Sequence, residues 1–110
     1  MTTFDDREKG FEKKYALDQE QLFRAHARRD KLFGLWAAGK MGLSGAEADA
    51  YAKAIVAEDI KEPGDADVLR KVAADLAAKG VKMPAKDLAG KLDEMFGSAK
   101  QQIATEAKRT

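Results

Sequence analysis

Cysteine is absent from the 110 residues, which excludes disulfides and thiolate metal sites and is compatible with a reducing compartment. Histidine occurs once, as His26, so it has neither a nucleophile partner nor a metal quartet to join. Neither sign of charge dominates. Lys and Arg number 20 against 19 acids, a net charge of +1, and that balance argues against general nucleic-acid binding. No apolar run approaches the roughly 20 residues that span a bilayer. The N-terminus lacks the basic and apolar regions of a signal peptide, and the expectation is a soluble, cytoplasmic protein. Alternation of period two, fixed-length repeats and a dividing linker are also missing. What is present is 45% hydrophobic residues, many of them alanine, and 35% charged residues. That fits one small domain with a thin core and little surplus stability.

Apolar spacing of three and four residues predicts four amphipathic helices joined by short connections, an all-α four-helix bundle. The first helix starts near Asp18 and ends at Met41. Gly42 fits the left-handed position past its end, and Leu43 the apolar residue that follows. Ser44-Gly-Ala-Glu47 reads as a capping box opening the second helix, which runs to about Ile60 with Ala48, Tyr51, Ala52, Ile55 and Val56 on its apolar face. A turn at Lys61-Glu-Pro63-Gly64 follows, and Asp65 is expected to cap the third helix. Val68, Leu69, Val72, Ala73 and Leu76 line that helix, which stops at Gly80. Val81 and Met83 are expected to tuck beneath the bundle. Pro84 suits the start of the fourth helix, where a missing N–H costs nothing. Leu88, Leu92, Met95, Phe96, Ala99 and Ile103 form its face. Gly90 and Gly97 weaken it, and the tail from Gln101 to Thr110 is expected to fray.

The stretch before Asp18 has a different character. On a helical wheel, Phe4, Phe11, Tyr15 and Leu22 fall within a stripe about 40° wide, and Ala25, Arg29, Leu32, Phe33 and Trp36 continue that side. Thr3 can cap, Asp5 and Asp6 suit a first turn, and Glu8 and Glu12 can pair with Lys9, Lys13 or Lys14. Gly10 and the short length oppose a stable isolated helix. Residues 1–17 therefore read as a mobile, nascent-helical recognition arm, tied to a bundle domain of residues 18–110. The bland alternative is a frayed terminus, but frayed tails rarely carry three large aromatics on one seam.

No catalytic constellation assembles, and the chain is not expected to be an enzyme. Gly34-Leu-Trp-Ala-Ala-Gly39-Lys40-Met41 nearly spells a phosphate loop. Met41 replaces its hydroxyl, no strand precedes it, and the segment reads as helix interior. Glu58, Asp59, Glu62, Asp65 and Asp67 cluster at a turn without the spacing of a calcium loop, so they read as a solvated connector. Trp36 is expected to anchor the core. Arg24, Arg28 and Lys31 form a basic ridge beside the seam. It is either a solvated face or a second docking surface continuous with the arm.

The run TTFDDREKGFEKKYALDQEQLFRAHARRDKLFGLWAAGKMGLSGAEADAYAKAIV closely resembles the zeta-subunit family of alpha-proteobacterial F-type ATP synthases. The match is densest from Phe4 to Val56 and continues through Gly64-Asp65 and Leu69-Arg70-Lys71-Val72. DREKGFE-K-Y and LFGLWAA-K-GLSG carry it, while Pro84, Gly90 and Gly97 depart from the pattern. The resemblance implies an inhibitor of ATP hydrolysis that needs no cofactor, is monomeric when free, and sits at the inner membrane only through the synthase. It implies that the arm enters an alpha/beta catalytic interface beside gamma and blocks rotation. The arm residues so implicated are Phe4, Arg7, Lys9, Phe11, Lys13, Lys14 and Tyr15. Two other roles are open to such a bundle. One is a weak adenine-nucleotide sensor, motivated by the basic ridge and Trp36. The other is a docking module for some different partner.

Overall fold

A computed structural model describes residues 17–62 and 64–108. Four helices follow one another: α1 Gln19–Lys40, α2 Gly45–Lys61, α3 Asp65–Ala78 and α4 Ala85–Lys108. Among the described residues there is no strand. The expected arm, with Phe4, Arg7, Lys9, Phe11, Lys13, Lys14 and Tyr15, lies outside the described residues apart from Leu17.

Helix α1 is the shaft of the bundle. It packs extensively against both α2 and α4, and α3 closes the structure with smaller interfaces. The first helix begins with a reciprocal capping box. The Asp18 carboxylate accepts from the Gln21 amide at 2.7 Å, and the Asp18 amide donates to the Gln21 side chain at 3.1 Å. It ends as its glycine dictates. Gly42 has φ 82°, and Leu43 N–H donates to the Ala38 carbonyl at 2.9 Å. The end of α3 repeats the device, with Gly80 at φ 79° and Val81 N–H on the Leu76 carbonyl at 2.9 Å.

The core is built from one stripe of each helix: Phe33 and Ala37, Ile55, Val68, Val72 and Leu76, Leu88 and Leu92. Trp36, Tyr51, Leu69, Val81, Met83 and Met95 pack around it, so Val81 and Met83 do tuck under as the sequence suggests. Trp36 is half-buried and stacks on Phe33 with ring centroids 5.6 Å apart. Gly34 explains why α1 and α2 meet so closely. A Cβ placed there would stand 2.8 Å from the Ala52 Cα and 3.3 Å from the Ile55 Cγ1. Gly34 thus has a packing role, and the segment forms the last two turns and C-cap of α1 rather than a strand-to-helix phosphate loop.

Several local expectations are corrected. Ser44 stands at the N-cap of α2 but makes no side-chain cap bond, so the capping box there is not formed. Gly64, not Asp65, is the N-cap of α3, and Asp65 is its first helical residue. The C-terminal segment does not fray at Gln101. The helix continues to Lys108, and Ile103 is buried against the bundle. Gly90 and Gly97 leave the helix uninterrupted.

Candidate partner-binding face

The N-terminal half of α1 follows residues 1–17 in the chain and concentrates charged residues, among them Arg24, Arg28, Arg29, Asp30 and Lys31. Arg29 sits within the apolar seam at 3% exposure, and Asp30 beside it is 1% exposed. A buried cation must be paired, and this one is paired three times. Its Nη2 lies 2.9 Å from Asp30 Oδ1 and 3.5 Å from Asp59 Oδ2, and its Nη1 lies 3.0 Å from Asp65 Oδ1. Asp59 comes from the end of α2 and Asp65 from the start of α3. The guanidinium therefore clamps the α2–α3 connector onto the shaft. The solvated-connector reading is corrected for these two acids. Glu62 remains exposed, and Asp67 pairs locally with Arg70 at 2.7 Å.

One arginine faces three carboxylates, and the excess negative charge is relieved by a proton. Burial pushes the Asp30 carboxyl up to about 8, a hydrogen bond and repulsion from Asp59 add to this, and Arg29 opposes it. Asp30 therefore keeps its proton at neutral pH. No buried side-chain nitrogen or oxygen among the described residues lacks a partner.

Helix α1 is also tied to the end of α4. Arg28 donates to Glu106 through Nη1 at 2.7 Å and through Nη2 at 3.1 Å, and also to Gln102 at 2.7 Å. This bidentate fork is the strong form of an ion pair. His26 stacks on Phe96 with centroids 4.6 Å apart, and Lys100 lies 4.5 Å from the same ring. Burial first, and then Arg29, lower the His26 pKa below its usual 6.5, so the imidazole is predominantly neutral at pH 7.

The basic ridge is thus not uniform. Arg28 is committed to Glu106 and Gln102. Arg24 is half-exposed, 3.8 Å from Glu106, and Lys31 is exposed. What the sequence reading missed is an apolar patch beside this ridge. Phe23 and Ile60 are each 67% exposed, and Leu22 is 37% exposed. Phe23, Ala27, Val56 and Ile60 form the apolar part of a depression of about 450 Å³, whose other side is the charged cluster of Arg29, Asp30, Asp59 and Asp65. A second of about 350 Å³ shares Phe23, Ala27 and Val56 and reaches Arg24, Arg28 and Lys31. A third of about 320 Å³ shares Val56 and Lys31 and ends at Lys53 and Asp49. The three form one shallow groove. Phe23 was legible as an apolar residue off the main seam, and Ile60 as an apolar residue at a helix end beside a turn.

Metal chemistry has no foothold among the described residues, where no three His, Cys, Asp or Glu side chains are placed to hold an ion. No described helix is long and apolar enough to cross a membrane. The face offers exposed apolar area, cationic groups and a rigid shaft, which suit protein binding.

Curated proteins give no match. One solved structure, determined by solution NMR, is 44% identical to this chain, with TM-score 0.67, over 76% of this chain and 95% of its own. The family model for ATPase inhibitor subunit zeta matches residues 1–102. That match covers both the bundle and the segment before it, so the chain belongs to the ATPase inhibitor subunit zeta family and has the role of an ATP synthase inhibitor.

Proposed function

We propose that the chain inhibits ATP hydrolysis by placing residues 1–17 at a catalytic alpha/beta interface of the synthase head, next to gamma, where they obstruct rotation. The single observation that carries this reading is the extent of the family match, which begins at residue 1 and so includes the aromatic segment. Phe4, Phe11 and Tyr15 supply the apolar side of that segment. Each returns about 2–3 kcal/mol when buried. Arg7, Lys9, Lys13 and Lys14 supply charges for pairing with the head. Arg24, Arg28 and Lys31 add a second docking surface, in which Arg24 and Lys31 face outward while Arg28 holds the shaft to α4.

The bundle serves as an anchor. Arg29 and Arg28 brace α1 on two sides directly after the arm, so force on the arm passes into a fixed helix. Nothing in this scheme needs catalysis, and the inhibitor family fits a non-catalytic protein. Changing Phe11 to alanine weakens inhibition at least several-fold and leaves the circular dichroism melt of the bundle unchanged. Full inhibition by that variant would contradict the arm's role.

The Asp18 capping box bears on how the arm engages. If the arm joins α1 as one continuous helix, the box must open, because an N-cap residue is not helical. Asp18→Ala removes the box, which costs the free bundle about 1 kcal/mol. It also removes the stop signal, so this variant inhibits at lower concentration than the parent. Inhibition weakened in parallel with stability would mean that the cap persists in the complex.

A further inference from the structure

We infer that the groove between α1 and α2 is a docking site for one amphipathic helix of the ATPase head, carrying an apolar stripe of about two turns flanked by acidic residues. The identity of the partner rests on the inhibitor reading above, and the groove itself rests on three features of the surface.

The first is exposed apolar area of the wrong kind for solvent. A small bundle with a thin core leaves a phenylalanine and an isoleucine each two-thirds exposed, side by side across one groove. Exposed apolar side chains that stand together with a polar rim are the pattern of an interaction site, whereas isolated ones are ordinary. The second is shape. From Phe23 to Lys31 the groove follows α1 for eight residues, about 12 Å at 1.5 Å per residue. Phe23 and Ile60 wall its wide end, and Ala27 and Val56 form its floor. Small residues on the floor and large ones on the walls accept anchors at helical spacing.

The third is charge. Arg24, Lys31 and Lys53 border the groove, against Asp49 alone at its narrow end. Lys31 and Lys53 are exposed and Arg24 is half-exposed, at a long 3.8 Å from Glu106. At the wide end two carboxylates, Asp59 and Asp65, share the single guanidinium of Arg29, and Asp65 stays exposed. The rim is therefore cationic along its Arg24, Lys31 and Lys53 side and not at the wide end, and that side selects an acidic edge on the partner and disfavours a basic one. Phe23 also lies close to the junction with the arm. A helix seated here would hold the shaft against the head while the arm engages deeper in it.

The test uses the full chain and the purified catalytic head of the cognate synthase, with binding followed by biolayer interferometry and hydrolysis followed in parallel. Phe23→Ser combined with Ile60→Ser is expected to weaken binding tenfold or more, through a faster off-rate. Its melting temperature stays at or above that of the parent, because both side chains are exposed. At saturating concentration this variant still reaches the parent's maximal inhibition. Lys31→Glu combined with Lys53→Glu is expected to weaken binding several-fold and to flatten its salt dependence. Benzophenone placed at position 23 is expected to capture an acidic, apolar helical peptide of the head.

Parent-like affinity in both double variants would overturn the proposal. So would capture only of residues 1–16 of the same chain, or of a second copy. A failure of Phe11→Ala to reduce inhibition, with the groove variants still weak binders, would overturn the arm reading and leave the groove standing. No binding of the parent to the head would overturn both.

Discussion

The two halves of α1 solve the same packing problem by opposite means. From Phe33 to Ala38 the helix is dry. Phe33, Ala37 and Ala38 are fully buried, and Gly34 lets the α2 backbone approach to contact distance. From Phe23 to Asp30 the helix is held by ions. Arg28 reaches α4, Arg29 reaches α2 and α3, and His26 stacks on α4. Close apolar packing fixes one geometry through steric exclusion. A buried ionic cluster fixes geometry through directional pairing, at the cost of desolvation and of sensitivity to pH. The dry half lies far along the chain from the arm. The ionic half follows residues 1–17 in the chain and is where Phe23 is left exposed.

The largest effect that would break this comparison is the loss of Arg29. Arg29→Ala leaves the Asp59 and Asp65 carboxylates without their cation and buried Asp30 without its donor, and is expected to destabilise the bundle by about 3–5 kcal/mol in urea unfolding. A loss below about 1 kcal/mol would show that the cluster is not the support of the N-terminal half. In the dry half, Gly34→Ala puts a methyl group into the Ala52 backbone. It is expected to cost about 1–3 kcal/mol despite alanine's better helix propensity, and a stabilised variant would mean that α2 can move aside freely.

The third prediction distinguishes the halves by pH. Asp30 has its folded pKa raised from 3.8 to about 8, so the folded state holds a proton that the unfolded chain has released. The stability from this group is complete below its unfolded pKa and is lost as pH rises through about 8. His26 has a lowered folded pKa, so its contribution is gained as pH rises through its ordinary 6.5 and is settled above that. Between about pH 6.5 and 8.5 the net expectation is a fall in unfolding free energy on the order of 1–2 kcal/mol. Asp30→Asn removes the slope, and an equal slope in that variant would refute the assignment. The smallest effect belongs to the α4 brace. Arg28→Ala is expected to cost about 1 kcal/mol, with amide exchange accelerated first around Gln102 to Glu106.

These outcomes also mark what the chain reveals before it is folded. The four helices, and the ends at Asp18, Gly42 and Gly80, follow from local chemistry, whereas the caps at Ser44 and Asp65 and the fraying of the last turns do not hold. Period-3.6 spacing sets the stripes, and Gly42 and Gly80 end helices because only a left-handed residue closes those turns. The resemblance carried by DREKGFE-K-Y and LFGLWAA-K-GLSG reaches the family that the comparison then shows. The ionic half was not legible in the same way. Arg29 was seen on the seam, but its partners lie 30 and 36 positions away, and Asp59 and Asp65 read locally as turn residues. Glu106 and Gln102 sit in a segment whose composition suggests fraying. Only the return of α4 alongside α1 gives them Arg28 to bind. The exposure of Phe23 and Ile60 is likewise a property of how α1 and α2 meet, since either residue alone would pass for core.

The central claim is that the segment before Asp18 is the inhibitory element and the bundle its anchor. It is tested most directly by ATP hydrolysis of the cognate catalytic head with the full chain and with a version starting at Asp18. Circular dichroism is used to establish that both carry the same folded bundle. Inhibition by the full chain, lost in the shortened one, is the predicted result. Equal inhibition by both would contradict it and move the activity into the bundle.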